Sequence, residues 1–111
     1  MSRYAKGARF ERRVKRYLEG KGFLVLRAAG SKPVDLVGIR RGEVIIVECK
    51  SDEKNLRRGD LEALRRLSEG SGARPLIATR KVRRLIFLDA RTGERIQIAP
   101  REQSTLDEPS S

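Results

Sequence analysis

The apolar residues of this 111-residue chain change their spacing several times, and each change predicts a new element of secondary structure. Over residues 6–21 they recur at helical spacing, and glycines follow at the expected end of the helix. The apolar side chains of this predicted helix are Phe10, Val14, Tyr17 and Leu18. They share one side of the helix, so we expect that side to face a core.

Three apolar runs come next, and their lengths fit strands better than helices. Residues 23–29 form the first run, and the turn-like sequence Gly-Ser-Lys-Pro follows it. Residues 34–39 and 44–50 form the second and third runs. A tight turn at Arg41-Gly42 can join these two, because glycine adopts the positive φ that a two-residue hairpin needs.

The middle of the chain is first polar and then amphipathic. Residues 51–59 are rich in charge and have no apolar period, so we expect a mobile, solvated loop. Asp60 can cap a second helix, which a Gly-Ser-Gly sequence ends. We expect three leucines of that helix to face the sheet: Leu61, Leu64 and Leu67.

Further strands are predicted at residues 74–80, 84–90 and 95–99. The stretch from Leu85 to Leu88 is apolar on both faces, which predicts a central strand or a strand that contacts a partner subunit. Residues 100–111 are polar, with prolines, serines and acidic residues, and we expect a disordered tail. The pattern therefore predicts one α/β domain over residues 1–99.

Composition narrows the function. With 26 Lys and Arg against 15 Asp and Glu, the net charge is +11, which favours nucleic acid over a membrane as the partner. Charge alone does not distinguish an enzyme from a non-catalytic nucleic-acid-binding protein.

The chain has no histidine, which excludes Ser-His catalysis and His-based zinc sites. The single cysteine, Cys49, excludes an intramolecular disulfide and fits the cytoplasm. No signal peptide or membrane helix is evident at the amino terminus.

The first helix carries a basic face opposite its apolar stripe. Four arginines form that face and would contact a nucleic-acid backbone: Arg9, Arg12, Arg13 and Arg16. Glu11 belongs to neither group, because the helical spacing places it at the edge of the apolar stripe. One explanation is a functional carboxylate at the rim of the core, and the other is an ordinary ion pair with Lys15 at i+4.

The hairpin places charges where strand interiors are normally apolar. With the turn at Arg41-Gly42, Asp35 falls opposite Glu48, and Lys50 lies on the same face. Two carboxylates this close repel each other, and a divalent cation removes the repulsion. Mg²⁺ suits such oxygen ligands, and Mn²⁺ can substitute.

The ligands expected for this cation are Asp35 and Glu48, with the backbone carbonyl of Cys49 as a further oxygen. Lys50 could orient a water molecule or stabilise charge that builds up on a phosphate. A surface ion pair between Glu48 and Lys50 is the ordinary alternative.

These residues resemble the PD-(D/E)XK nuclease signature: Val34-Asp35, then Glu48-Cys49-Lys50, with Glu11 on a helix upstream. More narrowly, the sequences KGARFERRV, GFLVLRAAGSKPVDLVG and VIIVECK resemble the archaeal Holliday junction resolvases. The resemblance implies a restriction-endonuclease-like domain with a central mixed five-stranded sheet flanked by helices. It also implies a homodimeric, Mg²⁺-dependent endonuclease that cuts opposed strands of four-way DNA junctions.

The resemblance also assigns roles to residues. It makes Glu11, Ser31, Asp35, Glu48 and Lys50 the catalytic set, and Glu11 could hold a second metal ion directly or through water. The expected DNA contacts, besides the four helix arginines, are Arg27, Lys32, Lys54, Arg57 and Arg58. A related nuclease for flaps, repair or restriction, or a non-catalytic DNA-binding protein, remains an alternative. We expect a cytoplasmic, nucleoid-associated protein; a sliding-clamp contact at Gln103 and Leu106 has little support because the usual aromatic pair is missing.

Overall fold

A computed structural model describes residues 3–28 and 33–101, with the side chains of residues 3–5 left aside. Its helices and strands are α1 (Arg3–Gly20), β1 (Leu24–Arg27), β2 (Leu36–Arg40), β3 (Glu43–Lys50), a short 3-10 helix (Glu53–Asn55), α2 (Arg58–Ser71), β4 (Arg74–Lys81), β5 (Arg84–Asp89) and β6 (Arg95–Ile96). This is the predicted α/β class, and the element types follow the predicted order.

The strands form one mixed sheet in the order β1-β2-β3-β4-β5-β6. Only β3 and β4 pair in parallel, and α2 makes the crossover between them; the other described pairs are antiparallel. Within the described residues the sheet has six strands, which agrees with the six apolar runs but not with the five strands that the resemblance implies. The sixth strand contains only two residues, which pair with Phe87 and Leu88 after the turn that follows β5.

The sheet has a core on each face. On one face α1 packs with Phe10, Val14 and Leu18, all buried as predicted. On the other face α2 contributes the fully buried Leu64. Side chains alternate between faces along a strand, so Val47 of β3 belongs to the α1 core and its neighbour Ile46 to the α2 core. This alternation decides below which face each functional side chain occupies.

The amino-terminal end of α2 differs from the prediction. The helix begins at Arg58 with Arg57 at its N-cap position, and no side chain caps it. Asp60 lies inside the first turn, where its negative charge still favours the helix dipole. The preceding segment is not an open loop throughout, because Asp52 accepts a hydrogen bond from the Lys54 backbone and starts the 3-10 helix.

The leucines of α2 and the tyrosine of α1 pack less completely than their spacing predicts. Leu61 is half-buried, but Leu67 is 47% exposed, so it does not face the sheet as expected. Tyr17 is also partly exposed, although its ring packs against Phe87 at 5.5 Å between centroids. Gly72 ends α2 in the left-handed conformation with φ of 77°, as the Gly-Ser-Gly sequence predicts.

The β2–β3 hairpin follows the predicted register along its ladder. Arg40 pairs with Glu43 and Ile39 with Val44, and the turn consists of Arg41 and Gly42. Gly42 has φ of 72°, which is why glycine is needed there. Within the described residues, no helix is long and apolar enough to cross a membrane.

Candidate active site

The carboxyl ends of β3 and β4 lie side by side, because these two strands run parallel. Open α/β sheets commonly bind ligands at this edge. Glu48 lies near the end of β3 and is only 4% exposed, which is unusual for a carboxylate. Lys50, two residues further, is half-buried and places its Nζ atom 3.8 Å from Glu48 Oε1. This contact is too long for a good hydrogen bond, so the pair is held loosely.

Glu48 and Lys50 share one face of the sheet. They lie two and four residues beyond Ile46, which belongs to the α2 core, so alternation assigns both to the α2 face. The ordinary alternative, an ion pair between them, is present at the distance above. It is not a surface pair, however, because the Glu48 carboxylate is buried.

Asp35 lies where the hairpin ladder ends. The last regular pair is Leu36 with Val47, and Asp35 comes one residue before it. The Asp35 N–H donates to the Val47 carbonyl at 2.9 Å, so this residue departs from the regular register. The predicted facing pair of Asp35 and Glu48 is therefore not a rung of the ladder.

The Asp35 carboxylate is fixed to β3 in another way. Its Oδ2 atom accepts a hydrogen bond of 2.7 Å from the backbone N–H of Cys49, the residue that follows Glu48. The side chain therefore reaches past the end of its own ladder to the segment between Glu48 and Lys50. Asp35 therefore lies next to the segment that contains Glu48, as the sequence predicted, but it is joined to that segment through the backbone N–H of Cys49.

Glu11 approaches the same edge from α1. Its Oε1 atom accepts a 2.6 Å hydrogen bond from Arg27 Nε at the end of β1. The predicted alternative, an ion pair with Lys15, is wrong, because Lys15 contacts Glu19 at 3.6 Å instead. Glu11 thus joins α1 to β1, and it brings Arg27, another residue expected to function, to this edge.

The Cys49 thiol shows how the three carboxylates are grouped. Burial raises the pKa of this thiol strongly, and the negative charges of Asp35, Glu11 and Glu48 raise it further. All three carboxylates therefore lie within electrostatic reach of one atom. The backbone carbonyl of Cys49, and not its thiol, is the predicted oxygen donor.

The donor set fits a hard divalent cation bound by few protein ligands. Among the residues described, no group of three or more His, Cys, Asp and Glu side chains could hold a metal ion. Mg²⁺ usually keeps several waters and needs only one or two carboxylates besides substrate phosphate. Asp35 and Glu48 are the two carboxylates predicted for this role, and Glu11 is engaged with Arg27.

Basic side chains surround this edge. The four α1 arginines, which were predicted to share one face of the helix, line one open groove: Arg9, Arg12, Arg13 and Arg16. Arg13 also donates to the Arg83 carbonyl at 2.7 Å, which joins α1 to the turn between β4 and β5. Lys54, Arg57 and Arg58 are exposed beyond the end of β3. Ser31 and Lys32, with Gln103 and Leu106, lie outside the described residues.

Sequence reasoning missed two basic residues. Lys6 and Arg80 line a shallow cavity with Ser51, Asp52, Lys54 and Val82, just past Lys50. Arg80 follows the buried part of β4, whose carboxyl end lies beside that of β3. The parallel pairing of these strands was the signal that could have identified it.

The sheet, the buried Glu48 beside Lys50, the adjacent Asp35 and the helix-borne Glu11 together define a nuclease of the PD-(D/E)XK class. A family model described as archaeal Holliday junction resolvase (Hjc) matches residues 2–106. The chain is 43% identical over 90 residues to the crossover junction endodeoxyribonuclease Hjc of Methanocaldococcus jannaschii, covering 78% of this chain and 68% of that protein. The chain belongs to the archaeal Holliday junction resolvase family.

A solved structure agrees with this assignment. The 1.6 Å structure of Archaeoglobus fulgidus Hjc, a Holliday junction resolvase from an archaeal hyperthermophile, matches with a TM-score of 0.71 at 28% identity. The match covers 84% of this chain and 80% of that chain. The resemblance inferred from the sequence motifs is therefore confirmed at the level of both family and fold.

Proposed function

We propose that this protein resolves four-way DNA junctions by hydrolysing phosphodiesters in two opposed strands, with Mg²⁺ as cofactor and as a homodimer. The observation that carries the proposal is the buried Glu48 carboxylate beside Lys50, with the Asp35 carboxylate fixed on the intervening Cys49 N–H. The names of the two relatives, a crossover junction endodeoxyribonuclease and a Holliday junction resolvase, support the substrate.

The metal would be held by Asp35 and Glu48. The Glu48 carboxylate is buried 3.8 Å from the Lys50 ammonium, and a bound cation would bring further positive charge to it. When bound, Mg²⁺ would neutralise charge on the scissile phosphate and make its phosphorus more electrophilic. The Cys49 carbonyl is a further candidate oxygen, and Mn²⁺ should substitute because it accepts the same donors.

The chain's own residues would then orient the reactants. Lys50 donates hydrogen bonds, so it can hold the attacking water and stabilise the charge that develops on the phosphate oxygens. Glu11 holds Arg27 at the same edge, where the exposed guanidinium can contact the DNA backbone. Ser31 remains a predicted contributor from the segment just before Asp35.

The basic groove on α1 would bind the DNA by its backbone. Contacts between guanidinium groups and phosphates carry no base information, which fits selection of a branched shape over a sequence. Binding should weaken steeply with salt, because each neutralised phosphate releases a counterion. A protein that acts on chromosomal junctions would work in the cytoplasm, associated with the nucleoid.

An exposed apolar surface supports the homodimer. Leu24, Ile39 and Val44 pair in register across β1, β2 and β3, and all three are exposed; Leu24 is 62% exposed. Leu26 is exposed beside Leu24 on the same face. Helix α2 packs on this side of the sheet but leaves these residues exposed. Contiguous exposed apolar area of this kind marks an interaction surface, and cutting two opposed strands requires two active sites at a fixed separation.

Cleavage of defined substrates tests the proposal. A four-way junction labelled at one end of each strand in turn, and a linear duplex of the same sequence, are incubated with the protein with and without Mg²⁺. We expect paired, symmetric nicks in the junction only, and only with the metal. Cleavage of both substrates would point to another nuclease of this class, and cleavage of neither would point to a non-catalytic binding protein.

A further inference from the structure

Thr79 near the carboxyl end of β4 has an unusual environment. Its side chain is fully buried, and its hydroxyl has no hydrogen-bond partner in the described part of the chain. A buried hydroxyl without a partner costs about 1–3 kcal/mol. Valine has nearly the same shape and would avoid this cost, so packing alone does not explain a threonine here.

The strand register places this hydroxyl beside the candidate active site. In the parallel pairing of β3 with β4, Thr79 is the partner of Lys50, and Ile77 is the partner of Glu48. Ile77 belongs to the α2 core, so alternation assigns Thr79 to the α2 face, the face of Glu48 and Lys50. Adjacent strands lie only about 4.8 Å apart, so these three side chains are immediate neighbours.

A hydroxyl suits the gap between an ammonium and a carboxylate. It can accept a hydrogen bond from the Lys50 ammonium and donate one to the Glu48 carboxylate at the same time, which no apolar side chain can do. The direct contact between these two groups is 3.8 Å, so a bridging atom would improve it. Carboxylates that bind metals usually have such a second partner, which fixes their orientation.

We infer that Thr79 is a positioning residue of the active site: its hydroxyl, which has no partner among the described residues of this structure, lies where it can bond the Lys50 ammonium and the Glu48 carboxylate and so orient them when the metal binds. The inference rests on the proposed function, because it assigns Thr79 a role in the same metal-dependent cleavage. It concerns hydrogen bonds only, and no covalent step passes through the hydroxyl.

Two substitutions of Thr79 distinguish the effect of its hydroxyl from the effect of its side-chain shape. Thr79→Val keeps the shape and removes the hydroxyl; Thr79→Ser keeps the hydroxyl and loses a methyl group. For Thr79→Val we expect the single-turnover cleavage rate of the junction to fall about 10- to 100-fold, the usual effect of losing such a partner. Its melting temperature should equal or exceed that of the wild type, because a buried unpartnered hydroxyl is gone.

Thr79→Ser should restore cleavage to near the wild-type rate even though its smaller side chain lowers the melting temperature. Ile77→Val is the matched control, because it trims an apolar side chain on the same face, next to Glu48 in register. It should lower the melting temperature and leave cleavage unchanged. A Thr79→Val enzyme that cleaves at the wild-type rate, or a Thr79→Ser enzyme as slow as Thr79→Val, would overturn the inference.

A binding measurement separates this inference from the proposed function. Calorimetric titration of Mn²⁺ into each variant reports on the Glu48 carboxylate without any cleavage. We expect Thr79→Val to bind Mn²⁺ more weakly by about 10-fold and Thr79→Ser to match the wild type. If the wild type cleaves no junction, the proposed function fails, and the Mn²⁺ affinities still decide the role of Thr79. Equal affinities in all three proteins, with equal cleavage rates, would contradict it.

Discussion

The two ends of the β2–β3 hairpin both carry charge, but they use it differently. At the turn end, Arg40 Nε donates to Glu43 Oε1 at 2.7 Å, and Arg40 Nη1 donates to the carbonyls of Lys21 and Ala99 at 2.8 Å each. The Arg40 guanidinium also stacks over the Phe23 ring at 4.2 Å from its centroid. The charges at this end are paired with good geometry inside the folded chain.

At the other end the pairing is looser. Glu48 and Lys50 approach no closer than 3.8 Å, although Glu48 is the more buried of the two carboxylates on β3. The Asp35 carboxylate accepts a hydrogen bond of 2.7 Å from the backbone N–H of Cys49. The short contacts of Arg40 stabilise the fold, whereas the carboxylates at the other end are the ones proposed to bind the metal ion. The comparison therefore predicts opposite effects for substitutions at the two ends.

The largest expected effect comes from Glu48→Gln at the functional end. The amide keeps the shape but removes the charge that would hold the metal, so we expect cleavage of a four-way junction to fall by more than about 100-fold. Junction affinity, measured by gel shift without divalent ions, should remain largely intact, and the melting temperature should not fall.

Glu43→Gln, at the other end of the same strand, is the matched control. It should weaken the contact with Arg40 and leave the cleavage rate near that of the wild type. The comparison fails if Glu48→Gln loses junction binding together with cleavage, or if Glu43→Gln loses cleavage at a temperature where it is folded.

The second prediction concerns stability at the turn end. Arg40→Ala removes three hydrogen bonds and the ring contact, and it leaves the Lys21 and Ala99 carbonyls without this donor. We expect the free energy of unfolding to fall by about 2–4 kcal/mol, measured by guanidinium titration. Arg41→Ala is the control, because Arg41 is the exposed neighbour in the turn and should change stability by less than about 0.5 kcal/mol. If the two variants lost the same free energy of unfolding, the hydrogen bonds and ring contact of Arg40 would contribute nothing to stability.

Local pattern predicted most of the hairpin and of the first helix. The register follows from one turn glycine and from alternation, both of which act between near neighbours in sequence. The same local rules assigned Phe10, Val14 and Leu18 to the core. They also brought Asp35 and Glu48 to one end of the hairpin, which is why the class of the site could be inferred from the sequence.

Long-range contacts account for what the pattern did not predict. Arg40 donates to Ala99, which lies 59 residues later in the sequence. Glu11 pairs with Arg27, although Lys15 is nearer to it in the sequence. No periodicity encodes such choices, because they depend on how the elements pack. Thr79 is the clearest case: in sequence it is an ordinary β-branched strand residue, and only its burial and its register with Lys50 distinguish it.

The smallest expected effect comes from a carboxylate outside the hairpin, Asp89 at the end of β5. Burial tends to raise the pKa of Asp89, but hydrogen bonds and charge from Arg91, with the charge of Arg74, outweigh this and hold the pKa below its ordinary value of 3.8. A carboxylate whose pKa is lower in the folded state stabilises the fold at pH values above its ordinary pKa, and this contribution is lost as the pH falls through the folded-state pKa.

Asp89→Asn should therefore cost about 1 kcal/mol or less near neutral pH, because Arg91 is 57% exposed and screened by solvent. Melting temperatures measured from neutral pH down to about pH 2 should show the gap to the wild type closing only in the acidic range below 3.8. A gap that stays constant to the lowest pH would mean that the carboxylate charge plays no part, and that Asp89, unlike Arg40, stabilises its turn by shape alone.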